Sequence, residues 1–168
     1  VGAAPVNVDL TKAQGRNTAN ANYANMDFDN AGVFGESLTF TISANGGAAR
    51  TVVLKASSGT NLTLQVDGGA LTNHLVSDTN AVTLDEMVGA LNVAFDAAAT
   101  PVGISVTSTG PGGKIVFTAD TAVGSSTADV TVTAPVASAV PVVAASFGFA
   151  TGGVGTLTNI TARTVDEL

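Results

Sequence analysis

The chain has no cysteine and no tryptophan, one tyrosine, one histidine, and only 11% charged residues. Without thiols there can be no disulfide framework and no Cys-ligated metal. With His74 as the lone imidazole, neither a transition-metal site nor a His-based triad is expected, and the residue reads as an ordinary loop or strand histidine. Cations are scarce as well: 6 Lys and Arg stand against 13 Asp and Glu, for a formal net charge of −7 and a pI near 4.2. Such a chain is repelled by phosphate backbones and anionic membranes, so no nucleic-acid or membrane partner is expected. No apolar run is long enough to span a bilayer. The most apolar tract, residues 135–150, is broken by Pro, Ser and Gly and reads as buried strand and loop. The first residues show no basic segment followed by an apolar one, so no signal peptide is read there.

What is present is a 168-residue chain, 45% hydrophobic, with mean hydropathy +0.39, enough to bury a core in one domain or two small ones. Its surface must be hydrated by hydroxyls, amides and backbone more than by ions. The segment 1–36 is Asn- and Ala-rich, with a short strand expected at 6–10 and otherwise a polar arm. Leu38, Phe40 and Ile42 alternate with threonines, the period of a half-buried strand, and Asn45-Gly46-Gly47 then supplies a hairpin turn before a returning strand at 51–54. A second run, Leu62, Leu64 and Val66, closes on Asp67-Gly68-Gly69, so 56–80 is expected to be an inserted hairpin.

A helix follows. Thr83 with Glu86 three residues on fits a capping box, and Leu84, Met87, Val88, Leu91 and Phe95 share one face, which predicts a helix from Thr83 to about Phe95. Pro101 stops it. Ile104 and Val106 start a strand, Gly110-Pro111-Gly112-Gly113 turns into 114–118, and Val130 with Val132 offers another strand beyond a Ser/Thr/Gly loop at 124–127. Residues 134–168 read as returning Val/Ala-rich strands that complete a sheet near the N-terminal strand, with a last strand at 156–161 and a helix start at Ala162–Leu168. The expected fold class is α+β, β-dominant, with antiparallel hairpins and one amphipathic helix packed on a sheet.

The order from Leu38 to Val132 resembles the IN motif of bacterial flagellins and hook-associated proteins, a strand, Gly turn, strand, short helix ending near an Ile-Asn pair, then two further strands. The matching residues are Phe40-Thr41-Ile42 with Asn45-Gly46, Leu84 to Asn92 with Leu91-Asn92 at the pair, Val102-Gly103-Ile104, and Lys114 to Thr118. The composition is also similar to that of exported bacterial surface proteins. The resemblance implies a variable outer domain (a 37–133 module flanked by 1–36 and 134–168) exposed on the filament exterior, extracellular and without catalysis. Its partners would be other flagellin subunits, contacted through a helical core that these residues do not contain. Alone, the chain would be a monomer, with both ends emerging together. An insert of a filament-cap or hook-associated protein is the neighbouring reading. A carbohydrate- or surface-binding module of an adhesin or phage tail is a third, but binding modules generally display aromatic platforms, and this chain has no Trp and one Tyr.

Other motifs are weak. Asp27, Asp29, Asn30 and Gly32 (DFDNAG) are faintly like a calcium loop, yet Ala31 and Leu38 stand where further ligands belong, so a solvated acidic turn is expected and no metal. Asp85 and Glu86 suit a helix N-terminus better than a catalytic dyad. Gly152-Gly153-Val154-Gly155 lacks the Lys-Ser/Thr of a phosphate loop. Asn61-Leu62-Thr63 and Asn159-Ile160-Thr161 match the N-glycosylation pattern. If the flagellin resemblance holds, Ser57, Ser58, Thr60, Ser125, Ser126 and Thr127 would be the residues to carry O-linked glycans. No catalytic residue and no cofactor is expected.

Overall fold

The computed structural model describes residues 12–120, 129–149, 153–154 and 156–160. Their fold is α+β with β-structure dominant: eleven strands in two antiparallel sheets, and one helix packed on them. In chain order the strands are β1 (Lys12–Thr18), β2 (Ser37–Ala44), β3 (Arg50–Ser58), β4 (Asn61–Val66) and β5 (Thr72–Leu75). After α1 (Leu84–Ala97) come β6 (Ile104–Ser108), β7 (Ile115–Asp120), β8 (Val130–Val132) and β9 (Val136–Ala137). A short 3-10 helix at Ala144–Phe147 precedes β10 (Gly153–Val154) and β11 (Thr156–Ile160).

The larger sheet has the order β10-β8-β2-β3-β4-β5, with β9 also on β2, and the smaller has the order β11-β1-β7-β6. Turn chemistry explains the tight connections. Asn45 and Gly46 both take positive φ (54° and 67°), and Gly47 N–H donates to Ala44 O at 2.8 Å, the type I′ geometry that suits the right-handed twist of a hairpin. Asp67 and Gly68 repeat it at 51° and 68° between β4 and β5. Pro111-Gly112 makes a type II turn, with Gly112 at φ 63° and Gly113 N–H bonded to Gly110 O at 2.9 Å. β4 pairs with β3 as well as with β5, so the 56–80 span extends a continuous β2-β3-β4-β5 meander.

The core lies between the sheets. Leu38, Phe40 and Ile42 of β2, Val52 and Leu54 of β3, and Leu62 and Leu64 of β4 face Ile115, Phe117 and Ala119 of β7 and Val106 of β6, all buried. Five phenylalanines tie the layers together: Phe117 lies 6.0 Å from Phe40, 6.3 Å from Phe95 of α1 and 5.4 Å from Phe149, while Phe147 lies 5.1 Å from Phe40. At these separations tilted rings add aromatic attraction to the burial of their area. The helix buries Leu84, Met87, Ala90, Leu91, Ala94 and Phe95, and it touches β4 and β5 of one sheet and β6 of the other. Val88, expected on this face, is half-buried.

The arm from Ala19 to Asn30 is threaded into this core. Ala21 N–H bonds Gly148 O, Tyr23 N–H bonds Gly113 O, Met26 N–H bonds Val82 O and Phe28 N–H bonds Thr79 O. Tyr23, Met26 and Phe28 are buried, and the Tyr23 hydroxyl donates to Val82 O at 2.9 Å. Burial, against a backbone hydrogen bond at Met26 and with the Glu86 charge adding to it, holds the phenol neutral well beyond its ordinary range. The strand expected at 6–10 and the helix start at 162–168 lie outside the described residues. The last strand, β11, pairs antiparallel with β1, so that Lys12 sits opposite Ile160.

Candidate functional site

The middle of α1, which carries Leu91-Asn92, is tied to the smaller sheet by side-chain hydrogen bonds. Leu91 is fully buried. Asn92, next to it, points along the flank of the helix toward β6. Its amide Nδ2 donates to Val106 O at 2.8 Å and to Val88 O at 3.1 Å, and its Oδ1 accepts from Val106 N–H at 2.8 Å. β6 is the last strand of the smaller sheet, and the Thr109 N–H to Lys114 O bond fixes its ladder so that odd-numbered residues bond β7 and Val106 faces away from it. A primary amide presents one acceptor and a donor side by side, as a neighbouring strand would. Asn92 therefore completes the pairing of an edge strand from a helix.

The N-terminus of α1 is fastened by Glu86. One of its oxygens accepts from Thr83 N–H at 2.9 Å and from the Thr83 hydroxyl at 2.7 Å, and the other accepts from Ser77 N–H. Burial works to raise its pKa, but the Ser77 and Thr83 donors outweigh burial and hold the carboxyl at about 2. Beyond the C-terminus of α1, Arg50 donates through Nε to Asp67 and through Nη1 to Thr100 O and Pro101 O, at 3.1 and 3.4 Å. The Arg50 bond, aided by Thr51 N–H, holds the Asp67 carboxyl below its ordinary range. This clasp supplies a cation beyond a helix whose last turn carries none.

Around it lie shallow grooves. One of about 620 Å³ is lined by Asn92, Phe95, Asp96, Pro101, Ile104, Ser105 and their neighbours, and another of about 490 Å³ by Ala48, Ala49, Arg50, Asp67, Thr100 and theirs. In the first, Asp96 is the one ionisable side chain. In the second, the two ionisable groups are already bonded to each other. Neither places a base beside a nucleophile.

The remaining sequence candidates are dispersed. His74 on β5 packs its ring over Gly89 of α1, so close that a Cβ at 89 would lie 3.1 Å from Cε1. Asp27 accepts from Asp29 N–H at 2.9 Å, and Asp29 accepts from Gly32 N–H and from Asn80 Nδ2, across a tight turn with Ala31 at φ 51°. Among the described residues no group of three or more His, Asp or Glu is placed to hold a metal. Asp85 and Glu86 share the first turn of α1. Asn61 is half-buried in β4, its Nδ2 donating to the Ser57 hydroxyl at 2.6 Å and to Asn73 Oδ1 at 3.2 Å. Asn159 lies in β11 and Gly153-Val154 form β10. Ser57, Ser58 and Thr60 are exposed at the β3–β4 turn, whereas Ser125, Ser126 and Thr127 lie outside the described residues.

Sequence reasoning missed the roles of Gly15 and Asn17. A Cβ at Gly15 would sit 2.7 Å from the backbone of Asp129, and buried Asn17 donates to Val130 O at 3.0 Å, so β1 meets β8 by close backbone approach. A glycine and an asparagine on the inward face of a strand are the only trace this leaves in the sequence. Compared with known protein families, curated proteins and solved structures, the chain matches none.

Proposed function

We propose that this chain is the outer domain of a bacterial flagellar filament subunit, exposed on the filament exterior and acting by shape and surface, with no catalysis. The observation that carries this reading is the pairing of β1 with β11: Lys12 lies opposite Ile160, so the chain enters and leaves the described fold at adjacent positions. A module inserted between two halves of a helical core needs that arrangement. The Leu91-Asn92 pair adds support, since both residues act together, one in the core and one on the β6 backbone. Partners would be neighbouring subunits, contacted mainly through the helical core. The acidic surface disfavours nucleic acid and anionic membranes, and among the described residues no helix is long and apolar enough to cross a bilayer.

Immunogold labelling of source cells with antibodies raised against the chain tests this. Decoration along the whole filament is expected. Labelling confined to the filament tip or the hook junction would favour a cap or hook-associated protein, and labelling absent from flagella would contradict both.

A further inference from the structure

The two sheet edges beside α1 are finished differently. At β6 the outward backbone of Val106 is closed by Asn92. At β5 the Val76 N–H to Thr60 O bond of 3.0 Å fixes the ladder so that even-numbered residues bond β4. The N–H and C=O groups of Leu71, Asn73 and Leu75 therefore face away from the sheet. β5 is the last strand of its sheet, and among the described residues nothing caps these groups until Ser77, whose N–H donates to Glu86. Leu71 and Leu75, 54% and 78% exposed, stand with Asn73 on the outer face. From Gly68 to Ser77 there is no Lys, Arg, Asp, Glu or Pro, the residues that ordinarily blunt an edge.

We infer that this edge is a self-pairing surface, at which a second copy of the chain adds its own β5 antiparallel about a two-fold axis through Asn73. In that register Leu71 stands opposite Leu75 of the second copy and Asn73 opposite Asn73. Every outward-facing backbone group of one copy meets an outward-facing group of the other, and both leucine pairs fall on one face, where directly opposed side chains touch. The neutral segment is what makes a second copy the occupant, because it opposes no like charges although each chain carries −7. A four-residue strand pair buries far less than the roughly 1,200 Å² of a stable complex, so the chain is monomeric when dilute and pairs when copies are held close. Display on a filament would supply that proximity, and this clause alone rests on the proposed function.

Sedimentation velocity of the full 168-residue chain, from micromolar to millimolar concentration, tests the inference. The unaltered chain is expected to form a concentration-dependent dimer. Asn73→Lys and Asn73→Glu each set like charges opposite one another at the two-fold axis and should stay monomeric, while an equimolar mixture of the two should associate again. Far-UV circular dichroism checks that both are folded, and Leu75→Lys replaces either one that is not, with loss of the dimer expected. An unaltered chain that stays monomeric at millimolar concentration overturns the inference, as does a mixture no more associated than its components. Either result leaves the filament labelling untouched.

Discussion

β5 and β6 both end an antiparallel sheet and both lie against α1, yet one edge is closed and the other is open. A single amide makes the difference. Asn92 reaches β6 because its position on the helix aims it at Val106 while Leu91 beside it is anchored in the core. Among the described residues no corresponding side chain reaches β5, where Glu86 stops at Ser77. Edge strands invite pairing unless something fills or blocks them. Among the described residues the β6 edge is closed at Val106 from within, while the β5 edge is left available over Leu71, Asn73 and Leu75.

The sharpest way to break this contrast is Asn92→Leu. It leaves the Val106 N–H and C=O without partners in a partly dry setting, and should cost about 2–4 kcal/mol in denaturant unfolding. The β6 edge would then be as open as that of β5, with a gain in self-association on a light-scattering assay.

Glu86→Gln comes next. With the folded pKa at about 2 and an ordinary value of 4.5, the Glu86 contribution is complete above about pH 4.5 and is lost as pH falls through 2. Because the carboxylate is largely solvated, screening reduces it to about 1–2 kcal/mol. The variant should lose this amount at pH 7 and show a flatter fall in melting temperature toward pH 2. It should also extend the open edge to Ser77, read as faster exchange of that amide.

Gly89→Ala probes the inner side of β5. Alanine favours the helix by up to about 1 kcal/mol, but the new methyl meets the His74 ring. His74 is only half-buried and its ring can yield, so a net gain of about 0.5 kcal/mol is expected, rising when His74→Ala is added. The smallest effect on stability belongs to Leu75→Lys, within about 0.5 kcal/mol of the unaltered chain because the side chain is already in water. Self-pairing should disappear all the same.

The helix was legible down to its cap, because Thr83, Glu86 and the apolar spacing each act locally. The hairpin turns were legible for the same reason, since Asn45-Gly46 and Asp67-Gly68 settle φ without help from elsewhere. β1 was not. Its inward positions include Gly15 and Asn17, chosen for close approach to Asp129 and Val130, so the alternation of apolar residues that marks a strand is missing. β5 hid its orientation instead. The turn bond pairs Val66 with Gly69, but the strand pairs Leu64 with Thr72, one residue out of step with a simple two-residue hairpin. A one-residue offset reverses every side chain. It sends Leu71 and Leu75 outward, keeps Asn73 out of the core and sets His74 over Gly89, none of which a hydrophobic pattern can report. The Leu91-Asn92 pair stood out by resemblance, while the task of Asn92 depends on a strand fourteen residues away.

Residue-resolved hydrogen exchange on the dilute chain measures the contrast between the edges directly. The account predicts that the Val106 amide, closed by Asn92, exchanges only as slowly as the sheet opens, and that the Leu71, Asn73 and Leu75 amides exchange orders of magnitude faster, slowing as concentration rises. Equal protection at the two edges, or a Val106 amide as fast as that of Asn73, would contradict it.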